Sequence, residues 1–282
     1  MFRADMQSTS QMNIKEHAMS ATPRMPAIFF GHGSPMNALE DNRYTRVWES
    51  FATRFARPKA ILAVSAHWTT HGTAVSAMSA PKTIHDFGGF PQALFDVRYP
   101  APGDPALAAR VAQLLAPLTP TPVQLDQSWG LDHGTWSVLL KTYPDASIPV
   151  VQLSVDMNEP PAYHFALGQR LATLRDEGVM IIASGNVVHN LRTMDPRSTG
   201  YDWAHRFNDA IRDSIVQGKF EQVVNYLALG QDAKLSVPTS EHFLPLLYVL
   251  GARLNDERTE IVAEGMELGS ISMMSVVLGG GS

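Results

Sequence analysis

Between Ile148 and Ala183 the chain passes from an apolar run, through an amphipathic stretch, to a second apolar run, and few folds accept that order. The outer runs, Ile148-Pro-Val-Val-Gln-Leu-Ser-Val155 and Val179-Met-Ile-Ile-Ala183, are short and almost continuously apolar, as strands covered on both faces are. Between them, Pro160 and Pro161 suit a first helical turn. Phe165, Ala166, Leu171 and Leu174 recur at helical spacing, and Gly178 stands where the helix should end. Strand, crossover helix and strand make a βαβ unit. Ala27-Ile-Phe-Phe30 and Ala60-Ile-Leu-Ala-Val64 add two more buried strands. The expected fold is therefore a single α/β domain with a largely parallel or mixed central sheet flanked by helices.

The chain has 282 residues, 45% of them apolar, enough for one large core. Residues 1–24 are polar, rich in Met, Ser and Thr, and without a period; they are expected to be a flexible extension ahead of a catalytic domain at 25–282. The segment 83–104 is dense in Gly, Pro and aromatics and reads as a long ordered loop, a kind that usually has a function. A net charge of -5 without a block of basic residues argues against nucleic acid as a partner. There is no cysteine, so disulfides, thiolate metal sites and cysteine nucleophiles are excluded and any metal must rest on His, Asp or Glu. No apolar stretch reaches the roughly 18 residues of a membrane span, and residues 1–24 lack a secretory apolar run. A soluble, cytoplasmic protein with no membrane partner is expected, its oligomeric state left open.

Several of the ten histidines share one kind of position. Ala27–Phe30 runs into Gly31-His32-Gly33-Ser34-Pro35, Ala60–Val64 into Ser65-Ala66-His67-Trp68, and Val179–Ala183 into Ser184-Gly185-Asn186-Val187-Val188-His189-Asn190. In open α/β sheets the carboxyl ends of the strands form the ligand crevice, so separate segments deliver imidazoles to one place, as a metal requires. Glycines beside His32 allow a sharp turn and a close approach of backbone to ligand. Two further candidates are His133, beside Asp132, and His242, beside Glu241; both lie in loops ahead of helical patterns. His85 lies in the long loop and could line a pocket. His17 falls in the extension, His164 and His205 on helical stretches at the surface or core edge; these and His71 receive no role. The Gly31–Pro35 segment is not a G-x-S-x-G elbow, and there is no P-loop, H-E-x-x-H helix or dinucleotide fingerprint. What remains is a nitrogen or nitrogen-plus-carboxylate site for one metal ion, and imidazole suits Zn, Fe, Cu and Ni alike.

Six segments in order carry a resemblance: Gly31-His-Gly-Ser-Pro-Met36, Ser65-Ala-His-Trp68, Ile84-His-Asp-Phe-Gly-Gly-Phe-Pro91, Asp132-His-Gly-Thr-Trp136, Ser184-Gly-Asn-Val-Val-His-Asn-Leu191 and Glu241-His-Phe-Leu-Pro-Leu246. Over about residues 25–278 the chain resembles the class III, LigB-like extradiol ring-cleavage dioxygenases of the 4,5-DOPA (DODA) type. The resemblance implies metal ligands at His32, His67 and His242. It implies that His189 faces the metal as a fourth ligand or as a base, and that His133 bonds the substrate or oxygen from the second shell. The implied reaction is extradiol opening of a catechol such as L-DOPA by O₂ at one non-haem divalent ion. Fe(II) is expected for ring cleavage; Zn(II) would suit four histidines. Phe87, Phe90 and Trp136, with His85, are expected to wall a flat aromatic pocket. The alternatives are a zinc-dependent hydrolase using the same histidines and a non-catalytic metal-binding relative.

Overall fold

The computed structural model describes residues 23–254 and 257–280. The expected extension therefore lies outside the described residues except for Pro23 and Arg24, as does His17. In chain order the elements are β1 (Ala27–Gly31), α1 (Arg43–Arg54), β2 (Ala60–Thr70), β3 (Ala74–Ser76), β4 (Lys82–Thr83), α2 (Gln92–Phe95), α3 (Pro105–Leu115), β5 (Gln124–Asp126), β6 (Gly130–Leu131) and α4 (His133–Thr142). They continue with β7 (Val150–Asp156), α5 (Pro161–Leu171), β8 (Val179–Gly185), α6 (Asp202–Val216), α7 (Phe220–Val224), α8 (Gln231–Ser236), α9 (Leu244–Gly251), β9 (Thr259–Ala263), β10 (Met266–Glu267), β11 (Ile271–Ser272) and β12 (Ser275–Leu278).

The central sheet has eight strands in the order β5-β3-β7-β2-β8-β1-β12-β9. Its middle, β7-β2-β8-β1, is parallel, while β12 and β9 run antiparallel beyond β1 and β3 antiparallel beside β7. The sheet is thus mixed, with a parallel centre. The βαβ unit read from Ile148 to Ala183 is present, with β2 inserted between its two strands. Alternation along each strand splits the side chains between two cores. Phe29, Leu62 and Val64 face one with α3 and α5 to α9; Ile28, Phe30, Ile61 and Ala63 face the other with α1, α2 and α4.

Helix α5 begins at Pro161, and after a 3-10 turn at Ala172–Arg175 the chain is released by Gly178 at φ 90°. Its buried stripe is His164, Leu167, Gly168 and Leu171, an i, i+3, i+4, i+7 set. Phe165 and Ala166 flank that stripe, and His164, read as a surface or edge residue, is fully buried with Nδ1 3.0 Å from the Tyr248 hydroxyl. The loop at 83–104 is ordered around one helical turn, α2, and is anchored by the two-stranded pairing of β4 with β6.

A buried arginine closes the molecule away from the histidines. Arg175 is inaccessible to solvent; its guanidinium donates to the carbonyls of Met25 (2.7 Å), Ala252 (2.7 Å) and Leu278 (3.3 Å) and pairs with Glu257 at 2.6 Å. The start of β1, the end of β12 and the end of α9 are thereby tied to one side chain. Among the described residues, no helix is long and apolar enough to cross a membrane.

Candidate metal centre

Three adjacent parallel strands, β2, β8 and β1, end on the same side of the sheet. His32 follows β1, His67 lies within β2, and His189 follows β8. Strand β2 runs to Thr70, past the apolar run that marks its start. Its register with β7 shifts between Val64 and Thr69, an irregularity of the kind that re-aims side chains. His133 is the first residue of α4, whose N-cap is Asp132, and His242 precedes α9. After His32 the chain turns at Gly33 with φ 60°, a conformation glycine adopts without strain.

His32, His67 and His242 each offer a nitrogen within 4.8 Å of the others. The Nε2 atoms of His32 and His67 are 3.1 Å apart, close to the 3.3–3.4 Å expected of two nitrogens about 2.0–2.1 Å from one tetrahedral ion. In all three rings the other nitrogen is engaged. His32 Nδ1 lies 2.9 Å from Ser184 Oγ, His67 Nδ1 3.4 Å from Asp86 and His242 Nδ1 3.2 Å from Glu241. A carboxylate can only accept, so Glu241 keeps the ring proton of His242 on Nδ1 and leaves its Nε2 as a lone pair, and Asp86, 3.4 Å from His67 Nδ1, favours the same tautomer there. Imidazole nitrogens converging in a buried space, held neutral and oriented from behind, are the donors that a divalent ion takes; the donor set fits a metal ion.

The protonation balance agrees. Burial, and then the other imidazoles, hold His32 and His67 well below the ordinary histidine range. Burial lowers His242 too, against the pull of Glu241. Glu241 is itself held down at about 2, its bonds from His242 and Thr239 outweighing the burial that would raise it. These rings are neutral, ligand-ready bases at physiological pH.

Two further imidazoles adjoin the triad. The His133 ring centroid is 3.8 Å from that of His67, and its Nδ1 is 2.9 Å from Asp86, which also accepts from the His133 backbone N–H. Asp86 thus bridges two imidazoles, and the His133 bonds keep it ionised below the usual carboxylate range although burial would raise it. The His189 ring stacks on His242 at 3.4 Å with 5° between planes. Burial and that neighbour push His189 down to about 3. His189 groups with Glu241 and His242, and not with the His32, His67 and His242 triad.

All five rings line one cavity of about 800 Å³, together with Phe87, Phe90 and the apolar Leu191, Met194, Ile271 and Met273. His85 and Trp136 do not line it. His85 gives its Nε2 to the Val97 carbonyl at 3.0 Å and packs on Phe87 and Trp136, while fully buried Trp136 donates to the Ile84 carbonyl. They stand behind the wall, bracing the loop that carries Asp86 and Phe87. Asp132 also points away, fixed by Ser65 and Gln152 and raised in pKa by burial and by Asp86. Asp86 and Ser184 carry no signal of their own in the sequence beyond their adjacency to His85 and Gly185.

Imidazole lone pairs gathered at the carboxyl edge of an α/β sheet, beside an aromatic-walled cavity, define an enzyme site built to hold a metal. Residues 26–279 match the family described as the catalytic LigB subunit of aromatic ring-opening dioxygenase, and the chain belongs to that family of metal-dependent extradiol dioxygenases. It is 57% identical to a protein of Escherichia coli K12 named 4,5-DOPA dioxygenase extradiol, over 94% of this chain and 98% of the relative. A protein of the same name from Beta vulgaris is 38% identical, over 93% and 96% respectively. The fold is similar to the crystal structure of an uncharacterized protein from Escherichia coli K12, with a TM-score of 0.79 and 52% identity, covering 91% of this chain and all of that one.

Proposed function

We propose that the chain opens the ring of a catechol such as L-DOPA with O₂, 4,5 to the side chain, at one divalent ion held by His32, His67 and His242. The observation that carries this reading is the set of three imidazoles with Nδ1 engaged and Nε2 free, set in a cavity walled by Phe87 and Phe90. Names borne by relatives support the substrate class. When bound, Fe(II) supplies coordination sites for diol and oxygen and the redox capacity that side chains lack.

The side chains do the rest. Phe87 and Phe90 hold the ring flat and keep water away. Asp86 keeps the His133 proton on Nδ1, so Nε2 of His133 is the acceptor that a catechol hydroxyl meets. His189, neutral and with no ring hydrogen bond among the described residues, is a second base in the cavity. One of the two would take the hydroxyl proton on its ring nitrogen and, as an imidazolium, hold it for return later in the reaction. Because His189 lies outside the close triad, we assign it to proton transfer and not to the ligand set.

The test is anaerobic reconstitution with Fe(II), then L-DOPA and air, following O₂ uptake and a yellow ring-opened product. Uptake that depends on Fe(II) and is lost in His32→Ala and His67→Ala is expected. No uptake on L-DOPA or simpler catechols would refute the reading.

A further inference from the structure

The cavity also carries polar chemistry that ring opening does not use. Glu40, Asn42, Arg43, Tyr44 and Glu267 line it together with the histidines. His32 and His242 are buried, whereas the side chains of Arg43 and Glu267 are 66% and 50% exposed; the charged group is therefore at the mouth and the imidazoles at the floor. Arg43 is the only Lys or Arg among the described lining residues.

This arginine is held in place. It is the first residue of α1, just after Asn42, which with Thr45 forms a capping box. Its guanidinium lies 4.6 Å from the centroid of the Tyr44 ring, and one amino group bonds the Tyr44 hydroxyl, which donates to Glu267 at 2.8 Å. Among the described residues, Nε and Nη1 have no partner, so N–H groups of the guanidinium remain to donate singly to an anion beside the Nη2 that Tyr44 holds. Glu40, also in the lining, has a carboxylate with no bonding partner among the described residues. A bare catechol would underfill about 800 Å³, a volume within the roughly 300–1,000 Å³ typical of pockets for drug-sized ligands.

We propose that the mouth is a specificity site for amino-acid catechols, with Arg43 binding the substrate carboxylate and Glu40 its ammonium. This rests on the ring-cleavage reading and deepens it. The rim carries one cation and two carboxylates; Glu267 is taken up by the Tyr44 hydroxyl and lies 4.0 Å from Arg43, so Arg43 and the unpartnered Glu40 are left to meet the two charges of a zwitterion, and a simple catechol would use neither.

The experiment compares L-DOPA with dopamine, which lacks the carboxylate, and with 3,4-dihydroxyphenylpropionate, which lacks the ammonium, on the Fe(II)-loaded enzyme. In Arg43→Gln, the preference in kcat/KM for L-DOPA over dopamine falls about tenfold, mainly through KM, and Arg43→Lys recovers part of it. In Glu40→Gln, the preference for L-DOPA over dihydroxyphenylpropionate falls several-fold. Calorimetric titration of the zinc-loaded protein with the same compounds under nitrogen must give matching affinity changes without turnover. Unchanged preferences in variants that melt like the wild type would overturn the assignment while leaving ring cleavage intact. A wild type that neither binds nor cleaves any of the three would overturn the catechol reading itself.

Discussion

Asp86 serves two imidazoles with one carboxylate, 2.9 Å from His133 and 3.4 Å from His67. In Asp86→Asn an amide nitrogen can donate to His133 Nδ1, moving the ring proton to Nε2, where the substrate proton should arrive. The expected loss is about 10- to 100-fold in kcat per bound ion. An unchanged kcat per ion with only reduced metal occupancy would restrict Asp86 to supporting His67. His32, His67 and His189 are legible because each follows an apolar run, whereas His133 and His242 stand in loops ahead of helical patterns, each beside a carboxylate. Their partners were not: Asp86 reaches a residue 47 positions away, and in an irregular loop no period tells which neighbour of His85 faces inward. A second residue-scale test concerns His164, held down to about 4 chiefly by burial. The unfolded chain takes up this proton near pH 6.5, the folded one only near 4. Stability is therefore full above about 6.5 and lost as pH falls toward 4, by about 2–3 kcal/mol between pH 7 and 4.5. Urea unfolding of the metal-free protein should show a smaller acid loss in His164→Phe than in wild type; equal losses would contradict this.

Among the elements, α4 shows local preference and site geometry in conflict. Gly134 sits in its first turn, where alanine would ordinarily improve the helix by about 1 kcal/mol. A β-carbon there would lie 2.5 Å from Ser65 Oγ and 2.9 Å from His67 Cδ2. Gly134→Ala should destabilise by about 1–3 kcal/mol and lower metal affinity as His67 is displaced. A raised melting temperature with unchanged metal content would show that the helix shifts without cost. The same conflict explains what was legible in the elements. The apolar starts of β1, β2, β7 and β8 announce themselves, because those residues enter the two cores. The continuation of β2 through His67 to Thr70 does not, since there only Trp68 is buried, while His67 lines the cavity and Thr69 meets solvent. In α5 the apolar period was found but its face was set a residue off, because buried His164 and Gly168 occupy the stripe in place of Phe165 and Ala166.

For the whole molecule, the parallel centre of the sheet follows from the crossover helix, whereas the antiparallel pairings come from two short C-terminal runs, β9 (Thr259–Ala263) and β12 (Ser275–Leu278), whose partners cannot be chosen from sequence. Pairing of Ala27 with Leu278 joins the first and last strands, and Arg175 seals the join. Arg175→Gln should cost about 3–5 kcal/mol, because it leaves three covered carbonyls without their donor and Glu257 with only the more distant Arg24 as its cation, 3.8 Å away. A chemical-denaturation midpoint within error of the wild type would show that water replaces it. The placement of Arg175 has a further consequence. The carbonyls of Met25 and Leu278 accept from one guanidinium, at the opposite end of β1 from His32. The order in which the segments are synthesised is thus separable from the order in which they meet: a short bridge from 280 to 23, with new ends cut in the exposed 117–122 stretch, would give a permuted polypeptide with its five imidazoles in the same places.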